Sequence, residues 1–151
     1  MARKTYEITA FRAALNTYLS ARGWTGINYK ERFPTESQIV VPTVAITFTQ
    51  PSRASALQLG STGEKTFRRI IQVDCFMENN ERAEGISDDI MDFMDLEAVL
   101  IVDKMSDATI GTLICFDTDS IYADVVPPDL EIEKVNRWRA IVRGNYEAHY
   151  F

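Results

Sequence analysis

The stretch Gly60-Ser61-Thr62-Gly63-Glu64-Lys65-Thr66 has the composition of a phosphate-binding loop, in which glycine backbone amides cradle an anion. Its spacing argues otherwise. Such a loop needs Gly directly before Lys and a helix N-terminus facing the phosphate, whereas here Glu64 intervenes and a strand pattern follows. A hairpin turn is the prediction. The only histidine, His149, sits near Glu147 and Tyr150 at the C-terminal end of the sequence. An enzyme would have to build its pocket from such scattered residues, and a terminal tail holds a general base poorly. Cys75 and Cys115 lie in apparent strands, without the short spacings that bind zinc or run redox chemistry. They are expected to be buried, reduced thiols. No catalytic, cofactor or metal residue is assigned.

Charge is distributed more tellingly. From Glu78 to Glu97 eight acidic residues face one base, Arg82, and Asp88, Asp92 and Asp95 fall on one face of a helix. A hard cation is conceivable there, but Ca²⁺ wants about six to eight oxygens, usually from a wrapping loop. Paired-carboxylate hydrolysis needs two acids in different environments across a cleft, and nothing in the pattern distinguishes such a pair. The run reads as an acidic ridge facing water or a cationic partner. Arg137, Arg139 and Arg143 alternate along the last strand pattern as a basic strip. They either make local ion pairs or meet the acidic ridge of a neighbouring copy, a head-to-tail contact that closes into a ring when the rotation allows.

The net charge of −6 argues against adhesive nucleic-acid binding, which gains affinity by neutralising phosphates. It does not exclude a protein past which DNA slides. With 46% hydrophobic and 25% charged residues the chain is ordinary for a folded domain, and no apolar run approaches the roughly 18 residues of a membrane span. The 151 residues fit one domain. Its surface of roughly 7,800 Å² could give about 800 Å² to each of two neighbours without becoming mostly interface. The opening Met1-Ala2-Arg3-Lys4 leads into an amphipathic pattern rather than a signal-peptide core, so folding in the cytoplasm is expected.

The elements that must carry these surfaces follow from periodicity. Ile8, Phe11, Leu15, Tyr18 and Leu19 predict a helix from about Tyr6 to Arg22, stopped by Gly23. An irregular crossing follows to Pro42, with a short strand at Ile39 to Val41. Val44, Ile46 and Phe48 alternate as a strand, and Ile71, Val73, Cys75 and Met77 share one face of a second, from Thr66 to Met77. Between these two, a projecting hairpin arm spans about 51–67, with Ala54 to Leu59 pairing with Lys65 to Ile70. Leu57 and Leu59 anchor it. Arg53, Lys65, Arg68 and Arg69 are its basic residues, available to DNA or a neighbouring subunit. Sequence-specific DNA binding is not expected, since Phe67 is the only aromatic there and no recognition helix is present.

Asn79 and Asn80 offer caps for a second helix, whose stripe is Ala83, Ile86, Ile90, Phe93 and Met94. Ala98 to Val102 is apolar throughout, as in a central strand covered on both faces. Ile110 to Phe116 and Ile121 to Val126 read as strands, and Asn136 to Tyr146 as the one that closes the sheet. The fold expected is a single α+β domain over 1–151: a mixed or antiparallel sheet of four to six strands, two main helices and the arm.

This order resembles the small phage tail-terminator, or tail-completion, proteins. The resemblance rests on Thr43-Val44-Ala45-Ile46-Thr47-Phe48 leading to Leu59-Gly60, on the strand Arg68-Arg69-Ile70-Ile71-Gln72-Val73-Asp74-Cys75-Phe76 running into a helix, and on Asn136-Arg137-Trp138-Arg139. Together these span about Phe11 to Tyr146. It implies a virion protein at the head-proximal end of the tail, assembled in the host cytoplasm. Copies would form a hexameric ring that caps the tail tube, stops its polymerisation and docks the head connector or stopper, with DNA passing through unread. The interface candidates are then Asp88, Asp92, Asp95, Arg137, Arg139 and Arg143, with Arg53, Leu57, Leu59, Lys65 and Arg68 as arm contacts. Another neck component, or a tail-tube-like subunit, is the alternative.

Overall fold

A computed structural model describes residues 3–34, 40–48, 65–128 and 137–151. The α+β architecture is as expected, two helices on a mixed sheet. Helix α1 spans Arg3–Ala21, and Phe11, Leu15 and Leu19 are buried along one side at four-residue spacing. Gly23 ends it with a φ of 91°. The Trp24 N–H donates to the Leu19 carbonyl at 3.0 Å and the Gly23 N–H to that of Ser20 at 3.1 Å, the paired closure a left-handed residue permits.

The strands are β1 (Asn28–Lys30), β2 (Thr43–Phe48), β3 (Lys65–Met77), β4 (Val99–Val102), β5 (Thr109–Cys115), β6 (Tyr122–Val126) and β7 (Trp138–Tyr150), with helix α2 (Asn80–Leu96) between β3 and β4. They form one seven-stranded sheet in the order β1-β2-β3-β7-β5-β4, one strand more than expected, and β6 also pairs with β7. Among the described residues only the β1/β2 contact is parallel.

The predicted alternation sets the core. Ile71, Val73, Cys75 and Met77 of β3 and Ala140, Val142, Tyr146 and Ala148 of β7 point inward against Ala83, Ile86, Ile90, Phe93 and Met94 of α2. The Asn79 side chain caps α2 by accepting the Arg82 N–H at 2.8 Å. Gly85 inside α2 lets the Trp24 ring lie against the helix, since a Cβ there would meet that ring at 3.4 Å. Cys75 and Cys115 are free and buried, and burial raises both thiols, which disfavours the reactive thiolate.

Four expectations change. The last strand is central rather than closing: β7 pairs over all thirteen residues with β3, while its other edge carries β6 along Arg139–Arg143 and β5 along Tyr146–Tyr150. Two long strands satisfy one another's backbone groups, and two short ones share what remains. Residues 65–67 belong to this sheet, since Lys65, Thr66 and Phe67 pair with Tyr150, His149 and Ala148. The rest of the arm, including Arg53, Leu57 and Leu59, lies outside the described residues. The short strand of the crossing is Asn28–Lys30, whereas Val40 and Val41 are not in a strand and Ile39 is outside the described residues. Finally, β4 is an edge strand whose Val99 and Ile101 are buried and whose Leu100 and Val102 face water.

The buried phenols make a pH prediction. Burial pushes the Tyr29 hydroxyl up to about 12 and raises that of Tyr146 too. A free phenol ionises near pH ~10, so above that the unfolded chain sheds protons the folded chain keeps, and stability falls as pH rises. For Tyr29 the window runs from about pH 10, the unfolded value, to about 12. Circular dichroism should show a cooperative alkaline transition there, with tyrosinate absorbance for these residues rising together with it. Complete tyrosinate formation in a chain that keeps its native ellipticity would refute the assignment.

Candidate assembly surfaces

The sheet has one face packed on the helices and one facing outward. Along the outward face run Arg139, Ile141, Arg143, Asn145, Glu147 and His149 of β7 beside Arg68, Ile70, Gln72, Asp74 and Phe76 of β3, as alternation and register require. The basic strip lies here but is engaged within the chain. Arg139 donates Nε and Nη2 to Oδ1 of Asp74 at 2.9 and 2.7 Å, and Arg143 donates to the Gln72 side chain. Arg137 is buried, its guanidinium 5.9 Å from the Phe76 ring centroid. Asp74 is fully buried, and Gln72 also donates to it at 2.9 Å. The tie between Asp74 and Arg139 holds the middle of β3 to β7 as well as any neighbour. Its signal in the sequence was a lone acid in a strand whose flanks are apolar.

Of the acidic ridge, Asp88, Asp92 and Asp95 are exposed on α2. Arg22, at the predicted end of the first helix, bonds Asp89 at 3.0 Å and reaches Asp92 at 3.6 Å. Trp24 Nε1 donates to Asp89 at 2.7 Å. These contacts staple the turn after α1 to α2. Asp88 borders a groove between α2 and β6, with Glu84, Ser87, Tyr122 and Asp124, and Asp95 lines a second with Thr118 and Asp119. The ridge therefore lies on the helix side of the sheet, and Arg139 and Arg143 on its outward face, with β6 between Asp88 and Arg143. Acidic side chains line both grooves.

Arg69 is a correction. Read as an arm contact, it is instead buried on the inner face of β3, with Nε 2.7 Å from Oε1 of Glu7 and Nη2 3.3 Å from Oε2. Glu7 is fully buried and also accepts the Tyr150 hydroxyl. Phe67 lies under the Arg69 guanidinium and edge-on to Tyr150. This cluster fastens the first turns of α1 to the ends of β3 and β7. A charge next to Ile70 gave no periodic clue to it. Arg68, by contrast, points outward, 3.7 Å from Glu147 and 5.1 Å from the Phe116 ring centroid. Lys65 pairs through its backbone with Tyr150.

The outward face near β4 is apolar. Leu100 is 57% exposed, Ile114 46%, Phe116 44% and Phe151 66%. His149, within this region, makes a 3.1 Å contact from Nδ1 to the Thr66 hydroxyl and stands edge-on to Phe151 at 6.3 Å. Among those residues no group of three or more metal-ligating side chains occurs, and no helix is long and apolar enough to cross a membrane. Compared with known proteins, the chain matches no protein-family model, and no curated protein matches it.

Proposed function

We propose that this chain is a structural subunit of the tail-terminator kind, which forms a ring on the head-proximal end of a phage tail tube, stops tube growth and docks the head connector or stopper. The observation that carries the reading is the placement of an acidic surface on α2 and of the exposed Arg68 and Arg143 on the opposite face of the sheet. Patches of opposite sign on opposite sides cannot pair about a two-fold axis, because that would set each patch against its own copy. They suit heterologous contacts, which close into rings. The strand order, with β3 running into an acidic helix and pairing along its length with the last strand, is compatible with the family resemblance. The net charge of −6 suits a channel through which DNA passes without condensing on the wall. A neck protein of another kind, or a tube-like subunit, is the alternative within the same class.

The reading is tested by native mass spectrometry and by adding the protein to growing tail tubes. One closed ring of six copies, and tubes halted at fixed length with the protein at one end, are the expected results. Long stacks would favour the tube-like alternative. A monomer that leaves tube growth unchanged would end the proposal.

A further inference from the structure

We propose that copies join by seating the basic β1 end of one sheet against the acidic-rimmed, apolar β4 end of the next. This deepens the ring reading and rests on its premise that copies associate. The sheet begins at β1 and ends at β4, and among the described residues no strand pairs with the outer edge of either. Such edges present unpaired backbone donors and acceptors.

The β4 end is the more exposed. Leu100, Val102, Ile114, Phe116 and Phe151 share its outward face. Together they leave on the order of 500 Å² of apolar side chain in water, near the upper range for a monomer's largest patch and over half of the ~800 Å² one partner gives a stable interface. Around it sit Glu97, Asp103 and Asp107 against Lys104.

The β1 end answers in sign and chemistry. Lys30 and Arg32 flank it, and Glu31 is already paired with Arg12 at 2.8 Å. Its exposed apolar group is Val40 at 63%, while Phe33 lies further in, its ring 6.0 Å from that of Phe76 on β3. Arg139 lies 5.1 Å from the Phe33 ring centroid, but Asp74 already balances its charge. With Arg68 beside Phe116 largely offset by Glu147, an apolar centre with excess acid at its margin meets an edge carrying Lys30 and Arg32. A β4-to-β4 contact would set Glu97 and Asp103 against their own kind, which disfavours the two-fold alternative.

Mixing separates these geometries. The variant Leu100→Lys disables the β4 end, and the pair Lys30→Glu with Arg32→Glu disables the β1 end. All three are surface positions, so far-UV circular dichroism and thermal melts should match the parent. Each variant alone should be monomeric by native mass spectrometry, its self-association weakened about 30-fold or more. Mixed in equal amounts they should form a dimer and nothing larger, because only one intact β1 end and one intact β4 end can meet. Leu100→Lys that keeps the parent's oligomer would overturn the proposal while leaving the ring intact. Two monomers that fail to pair would overturn the head-to-tail geometry. An open chain in the parent that obeys the mixing rule would instead sink the ring and keep the contact, and a parent that stays monomeric sinks both.

Discussion

Arg69→Ala is expected to lower folding stability by about 3–5 kcal/mol, because it strands the Glu7 carboxylate in the interior without its counter-charge. Glu7 is fully buried and Arg69 nearly so, and the carboxylate accepts from Arg69 Nε at 2.7 Å. Solvent screening therefore offers little relief. The remaining partner, the Tyr150 hydroxyl, is a neutral donor and cannot replace a guanidinium. Urea unfolding measures the loss as a lower midpoint at unchanged slope. Glu7→Leu combined with Arg69→Met should recover most of it, since a buried ion pair and a well-packed apolar pair of similar volume are often near equal. A single variant within about 1 kcal/mol of the parent would mean that the pair is solvated, as surface pairs are. The cluster ties α1 to the same end of β7 that carries Phe151, so its loss should also loosen the β4 end.

Phe11→Ala is expected to cost a similar about 3–5 kcal/mol through a different cause. Phe11 is fully buried where α1, α2 and β7 meet. Its ring stands edge-on to Phe93 at 5.4 Å and to Tyr146 at 5.6 Å, so truncation empties a cavity and removes two aromatic contacts at once. Phe11→Leu keeps most of the volume and should cost less than about 1.5 kcal/mol. Thermal unfolding of the two variants checks the ranking. Equal losses would show that the edge geometry, rather than the cavity, dominates.

What could be read before folding was read best where a single period ruled. The stripe of Phe11, Leu15 and Leu19, the stop at Gly23, the cap at Asn79 and the inward set on β3 each depend on neighbours within a few residues. The candidate surfaces were legible only in part. Alternation placed Arg139 and Arg143 on one face, but not the buried Asp74 that holds Arg139, because that contact crosses from β3 to β7. Helical spacing placed Asp88, Asp92 and Asp95 together, but not Arg22, which arrives from the end of another helix.

Burial of charge was the hardest to foresee. Arg69 has the same local pattern as Arg68, yet alternation on β3 turns one toward Glu7 and the other toward water. A one-residue change of register would have exchanged them. The apolar run Val99–Val102 posed the opposite difficulty: its composition suits a strand covered on both faces, and only the sheet order reveals it as an edge.

The sequence by itself determined the class of fold, the helix ends, the inward faces and the segregation of acid from base, since these are properties of period and local sterics. Only the tertiary structure decided which strand is central, which arginine is buried and which apolar strand is left uncovered. Those outcomes turn on pairings between residues far apart in the chain, where satisfying backbone hydrogen bonds across β3 and β7 fixes everything that packs beside them.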